Sequence, residues 1–321
     1  MCICALAPTL AAADVDPSEL NFDPDKARVV VDDLHRFWKA WDKAASAPDE
    51  DRRGIFQQIY FDAASPGLRS FIELRIGDVD RLLSAIDAAP EYYSSLREQT
   101  ESVANLEALL QDAYRRMQAI FPGAVFPDTY IVMGALTSGG TIDRSGILIG
   151  FEMNARGPES PVHELSDWHQ RVIGTVEALP VLIVHELVHI QQAVYGRLDF
   201  RDLLGQSIVE GAADFIAELA LGSHPSTGIH AWAASRESDL WAEFREVMHD
   251  TETAGWLYGG SNETDRPADV GYFIGYRIVE AYYRKAEDPS AALREIIEMT
   301  NPAEFLQRSG YTGGTPESAS D

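Results

Sequence analysis

The chain has 321 residues and carries 51 acidic against 26 basic side chains, a formal net charge of −25. That length can bury one large core or two small ones, and the charge argues against nucleic acid or an anionic membrane surface as a partner. No Gly-rich phosphate loop and no Gly-x-Ser-x-Gly elbow is present, which removes nucleotide chemistry and the serine-hydrolase route.

The two cysteines, Cys2 and Cys4, both precede residue 5, so the body of the chain does not depend on disulfides. From Cys2 to Ala13 the sequence is short, apolar and ends in an Ala-x-Ala-like run, features of an export signal, although the first lysine is Lys26. Residues 1–24 are therefore read as an export signal and linker, giving a periplasmic or secreted protein, with a cytoplasmic one as the alternative. No run approaches the 18–20 apolar residues of a membrane span.

Residues 25–124 are expected to be a helical region. Val30, Leu34, Phe37, Trp38 and Trp41 mark a helix over 25–47; further helical periods cover 66–88 and 91–120, the latter with Leu96, Val103, Leu106, Leu110 and Met117. Pro122 and Pro127 interrupt the pattern and introduce strands over Thr129–Leu136 and Gly146–Met153. These predict a small antiparallel sheet against an active-site helix, with either strand available as an edge for pairing with substrate backbone. Helices return from Ala178. Residues 309–321, rich in Gly, Ser and Thr, read as a disordered tail. The fold class is α+β and predominantly helical, with residues 125–308 as the catalytic domain.

The chemistry is concentrated in that domain. His185-Glu-Leu-Val-His189 lies in a segment, Leu179 to Ile190, that is apolar on every face and carries Pro180 at its start. One helical turn separates the two histidines, so both imidazoles reach one metal ion, while Glu186 points about 100° away and can touch water at that ion without ligating it. Twenty-one positions after His189 stands Glu210, followed by Asp214 and Glu218 at i+4 and i+8. Three like charges on one stripe repel unless a cation neutralises them. Zinc held by His185, His189 and Glu210, with Asp214 accepting the outer N–H of a ligating histidine, resolves most of that repulsion and leaves the fourth position open. Small residues at 211–213 would let this helix approach the histidine helix closely. Asp199 is the alternative third ligand, and Glu218 either supports the site or ends the helix in solvent.

This His-Glu-x-x-His with a later Glu-x-x-x-Asp resembles the gluzincins, the thermolysin-like zinc peptidases. The resemblance implies a zincin-like domain, with His185, His189 and Glu210 as ligands, Glu186 as general base and Asp214 behind the ligands. The metzincin pattern fits worse, because Gln192 and Tyr195 stand where it needs Gly and His. The stretch Gly271-Tyr-Phe-Ile-Gly-Tyr276, with the strand region before it, is similar to a bacterial family of predicted zinc-dependent proteases of unknown function. That family is related to a gliding-motility lipoprotein.

The expected activity is hydrolysis of a peptide or protein substrate by metal-activated water, with Glu186 moving the proton. Tyr276 and Tyr272 are the first candidates to donate to the oxyanion, followed by Tyr195, His230 and His249. Two alternatives stay open: a zinc hydrolase of non-peptide amides or esters, and an exported helical binding or assembly protein whose zinc site is structural or vestigial.

Overall fold

The computed structural model describes residues 20–258, 266, 267 and 269–314. The proposed export signal before residue 20 and the last seven residues of the expected tail lie outside that range. By packing, the described residues form two units: 20–114 with 125–186, and 115–124 with 187–314. The division falls inside one helix, Leu179–Tyr195.

After a 3-10 turn at Pro24–Lys26, the first unit has a strand that periodicity does not reveal, β1 (Val29–Val30), and the helix Asp32–Ala45. Leu34, Phe37, Trp38 and Ala40 give that helix its buried face. Phe37 meets Phe56 and Tyr60 edge-on at 5.7 and 5.5 Å, the geometry that aromatic quadrupoles favour. Asp33 is fully buried and accepts from the Ser65 hydroxyl at 2.5 Å and from the Arg36 guanidinium at 2.7 Å. Ser65 also caps the next helix, accepting from Leu68 N–H, and Pro66 sits in the first turn. The helix expected over 66–88 is two helices. Pro66–Phe71 runs into a π-helical turn ending at Gly77, whose φ of 92° no ordinary side chain favours, and Asp78 caps a new helix over Val79–Ala88.

The sheet has four strands in the order β1-β2-β4-β3, with β2 at Thr129–Val132, β3 at Gly140–Asp143 and β4 at Gly146–Gly150. β1 runs parallel to β2, β2 parallel to β4, and only β3 and β4 are antiparallel. The sheet is therefore mixed, not antiparallel as the sequence suggested. β2 and β4 are linked by residues that include β3, and this crossover makes the two parallel. Both predicted strands are interior, and β1 and β3 form the edges. Every residue of β2 and β4 is buried, the unbroken apolar pattern of strands covered on both faces. The β3–β4 turn needs Gly146: its φ is 134°, and a Cβ there would sit 2.1 Å from Asp128 O.

The second unit is built on the helices Leu203–Leu221 and Val270–Lys285. Asp202 caps the former by accepting from Gly205 N–H, and Gly222 ends it in the left-handed conformation. These two helices approach at backbone distance: a Cβ on Gly275 would lie 1.6 Å from Ser207 O, and one on Gly211 would lie 2.0 Å from Tyr276 N. Gly211 thus serves the contact with Val270–Lys285, not an approach to the histidine helix. Part of the expected tail is also packed. Tyr311 is buried, meets Trp241 at 4.9 Å and donates to Glu237 at 2.9 Å.

Candidate metal centre

The helix Leu179–Tyr195 is buried continuously from Ile183 to Ala193. Polar groups in such a helix must be satisfied or cost several kcal/mol. His185, His189 and Glu210 each offer one ligand atom, and these atoms all lie within 4.8 Å of one another. Their exposures are 3%, 0% and 0%, so water does not separate them from their surroundings. Glu186 and Asp214 are likewise buried.

The orientation of His189 can be worked out atom by atom. Gln192 Nε2 donates to Val209 O at 3.0 Å, and a carbonyl only accepts, so the amide orientation is fixed. Gln192 Oε1 then faces His189 Nδ1 at 2.7 Å and requires a proton on that nitrogen. His189 Nε2 is left to face Glu210 Oε2 at 3.2 Å. Either a proton, in a His189–Glu210 ion pair, or a metal ion can lie between that nitrogen and the carboxylate oxygen. Two imidazole nitrogens and one carboxylate oxygen form a donor set suited to zinc, and the group could hold a metal ion.

Gln192 is the residue that sequence reasoning missed. In the sequence it stands out only as a departure from another zinc pattern, although its i+3 position places it on the same helix face as His189. It takes the outer N–H of His189, the role assigned to Asp214 for a ligating histidine. Asp214 Oδ2 itself accepts from the Ser226 hydroxyl at 2.6 Å.

Glu186 lies against the edge of the sheet. A Cβ on Gly140, the first residue of β3, would stand 2.7 Å from Glu186 Oε1, so only glycine leaves the carboxylate its place. The remaining candidates are dispersed. Asp199 is exposed and pairs with Arg197, which holds it below the usual carboxylate range. Tyr276 donates to Glu218 at 2.5 Å, and burial together with that bond pushes its phenol well above 10. Glu218 stands eight residues beyond Glu210, about 12 Å along the helix axis. Tyr272 is buried in the first turn of Val270–Lys285. Tyr195 donates to Gly123 O at 2.5 Å. His230 packs on His224 at 3.8 Å and on Tyr276 at 4.6 Å, and burial lowers its pKa to about 3. His249 is exposed, 3.9 Å from Asp202.

A mostly helical α+β protein with a buried His-His-Glu cluster is the class that fold and site define. Residues 55–313 match the family model described as gliding motility protein GldB, and the chain belongs to that family. No curated protein and no solved structure matches it. Among the described residues, no helix is long and apolar enough to cross a membrane.

Gln192→Leu is expected to keep the helix buried while removing the acceptor for His189 Nδ1–H. Loss of such an outer partner weakens metal binding by roughly 10–100-fold. Competition with a chromophoric chelator measures the change, and native affinity in Gln192→Leu would show that another group orients His189.

Proposed function

We propose that the protein is a zinc-dependent hydrolase, in the first place a peptidase acting on peptide or protein substrates. The observation that carries this reading is the fixed tautomer of His189, with Nδ1–H on Gln192 and Nε2 turned toward Glu210. That arrangement lets His189 and Glu210 share a metal ion with His185, whose ligand atom lies in the same group. Zinc bound there would supply Lewis acidity to a water molecule and to a carbonyl oxygen. Glu186 would take the proton of that water and return it to the leaving amine. Gly140 gives the Glu186 carboxylate its space, and the edge position of β3 suits backbone pairing with an extended peptide. Gluzincin-like zincin architecture belongs to the same reading, with Asp214 behind the ligands and Tyr272 ahead of Tyr276 as oxyanion donor, because the Tyr276 hydroxyl is committed to Glu218. The lipoprotein designation of the family favours an exported, envelope-side location.

A purely structural zinc site has no use for Glu186, so the presence of a buried carboxylate in the base position favours hydrolysis over a binding or assembly role. The test joins metal content to activity. The purified chain is expected to carry about one zinc and to cleave members of an unbiased peptide library in a chelator-sensitive way. His189→Ala and Glu210→Ala are expected to lose the metal. Native zinc affinity in Glu210→Ala would remove that carboxylate from the ligand set. A zinc-loaded protein that cleaves no peptide but hydrolyses simple esters or amides would move the substrate class, and one inert to all would sink the enzymatic reading.

A further inference from the structure

Between β2 and β3 the chain runs from Met133 to Gly139 outside any strand, yet side chains secure nearly all of it. Tyr60 bonds both backbone groups of Met133, donating to its O at 2.7 Å and accepting from its N–H at 2.9 Å. Tyr93 donates to Gly134 O at 2.9 Å. His169 Nε2 donates to Leu136 O at 2.9 Å, and Asn154 Nδ2 donates to Gly139 O at 2.8 Å. Ser138 Oγ donates to Gly140 O at 2.8 Å.

The centre of this segment is held by Glu152, fully buried in the 3-10 turn that follows β4. Its Oε2 accepts from Gly134 N–H at 2.7 Å and its Oε1 from Leu136 N–H at 3.1 Å. A Cβ on Gly134 would fall 2.5 Å from Oε1, so the backbone has come as close as glycine permits. Leu136 carries a positive φ of 57°, unusual for a branched apolar residue and tolerated only where neighbours enforce it. Four residues further on, the same chain delivers Gly140 to the Glu186 carboxylate.

We propose that Glu152 is a positioning residue for the hydrolytic site: through Gly134 and Leu136 it sets the 133–140 segment, and through Gly140 it fixes where the Glu186 carboxylate rests. The catalytic half of this rests on the hydrolase reading above; the hold on the segment does not. Burial alone pushes the Glu152 carboxyl up to about 7, against the lowering effect of its backbone bonds. Tyr60, Tyr92 and Tyr93 surround it, and Tyr60 and Tyr93 are pushed well above 10, away from that window. His169 is the other titratable group on the segment.

The linkage has a definite sign. The closed segment keeps a proton on Glu152 up to about pH 7, whereas an opened, solvated Glu152 would release it near 4.5. Closure is therefore favoured below about 4.5, and that advantage is lost as pH rises through about 7. Amide exchange at Gly134 and Leu136, corrected for intrinsic rate, is expected to become up to about 300-fold less protected over that interval and to level off above it. Glu152→Gln presents an NH2 group to one of the two N–H donors, so this variant is expected to lose the pH dependence and to exchange faster throughout 133–140. The pH series in His169→Gln is expected to keep the wild-type shape. Zinc affinity is expected to be unchanged in Glu152→Gln, with kcat down at least tenfold and KM little altered.

Wild-type exchange at Gly134 and Leu136 no slower than in an open chain would overturn the hold on the segment, and this measurement stands even if the variant does not fold. Flat protection across pH 4.5–7 would overturn its linkage to Glu152 protonation. A Glu152→Gln protein with a loosened segment but native kcat would overturn the positioning role. If the wild type hydrolyses nothing, the enzymatic reading fails, while the exchange data still decide whether Glu152 sets the segment.

Discussion

Glu186→Gln is expected to bind zinc as the native chain does while hydrolysis falls by roughly 10²–10⁴-fold, the usual contribution of a positioned general base. The substitution keeps the shape of the side chain and its place beside Gly140, but an amide nitrogen accepts no proton. Glu186 is excluded from the ligand set by helix geometry, because it points about 100° away from His185. Metal content and turnover should therefore separate cleanly in this variant, whereas His189→Ala loses both. Gly140→Ala gives an independent check, since its methyl group would stand 2.7 Å from Glu186 Oε1 and must displace the carboxylate. Turnover of Glu186→Gln within a few-fold of native would place the base elsewhere, and loss of zinc would make Glu186 a ligand.

The parts of this protein that were legible in its sequence are those written in local spacing. His185 and His189 share a face because four residues make about one turn, and Glu210 declares itself by standing in an apolar helix. Gly271 and Gly275, four apart, likewise announce a close helix approach. The features that local spacing does not show depend on partners far along the chain. β1 is two residues long and exists because Val29 and Val30 pair with Thr129 and Tyr130, about a hundred positions away. β3 is four residues bounded by Gly140 and Asp143, both disfavoured in strands, so the sequence points to the more apolar β2 and β4 for the edge of the sheet. Glu152 reads as one acidic residue among 51 until the fold places Gly134 and Leu136 against it. Gln192 lies between these cases. Its spacing from His189 was visible, but the amide orientation that gives it meaning depends on Val209 O across the interface.

The largest stability loss is expected from Gly275→Ala. The new Cβ would stand 1.6 Å from Ser207 O and 2.4 Å from its carbonyl carbon, and both are backbone atoms that no rotamer change can move aside. One of the two helices must shift. Overpacking typically costs about 1–3 kcal/mol and occasionally more, and a clash with rigid backbone belongs at or beyond the upper end of that range. The displacement would reach the metal cluster as well, because Gly211, beside Glu210, lies against Tyr276 N across the same contact. Weakened zinc binding should therefore accompany the lower denaturant midpoint. Gly54→Ala supplies the contrast: Gly54 lies in the short helix Arg52–Phe56, with nothing within 4 Å of a built Cβ. There alanine should stabilise by about 0.5–1 kcal/mol through lower backbone entropy in the unfolded chain. Equal midpoints for the two variants would mean that the helices Leu203–Leu221 and Val270–Lys285 do not meet at backbone distance.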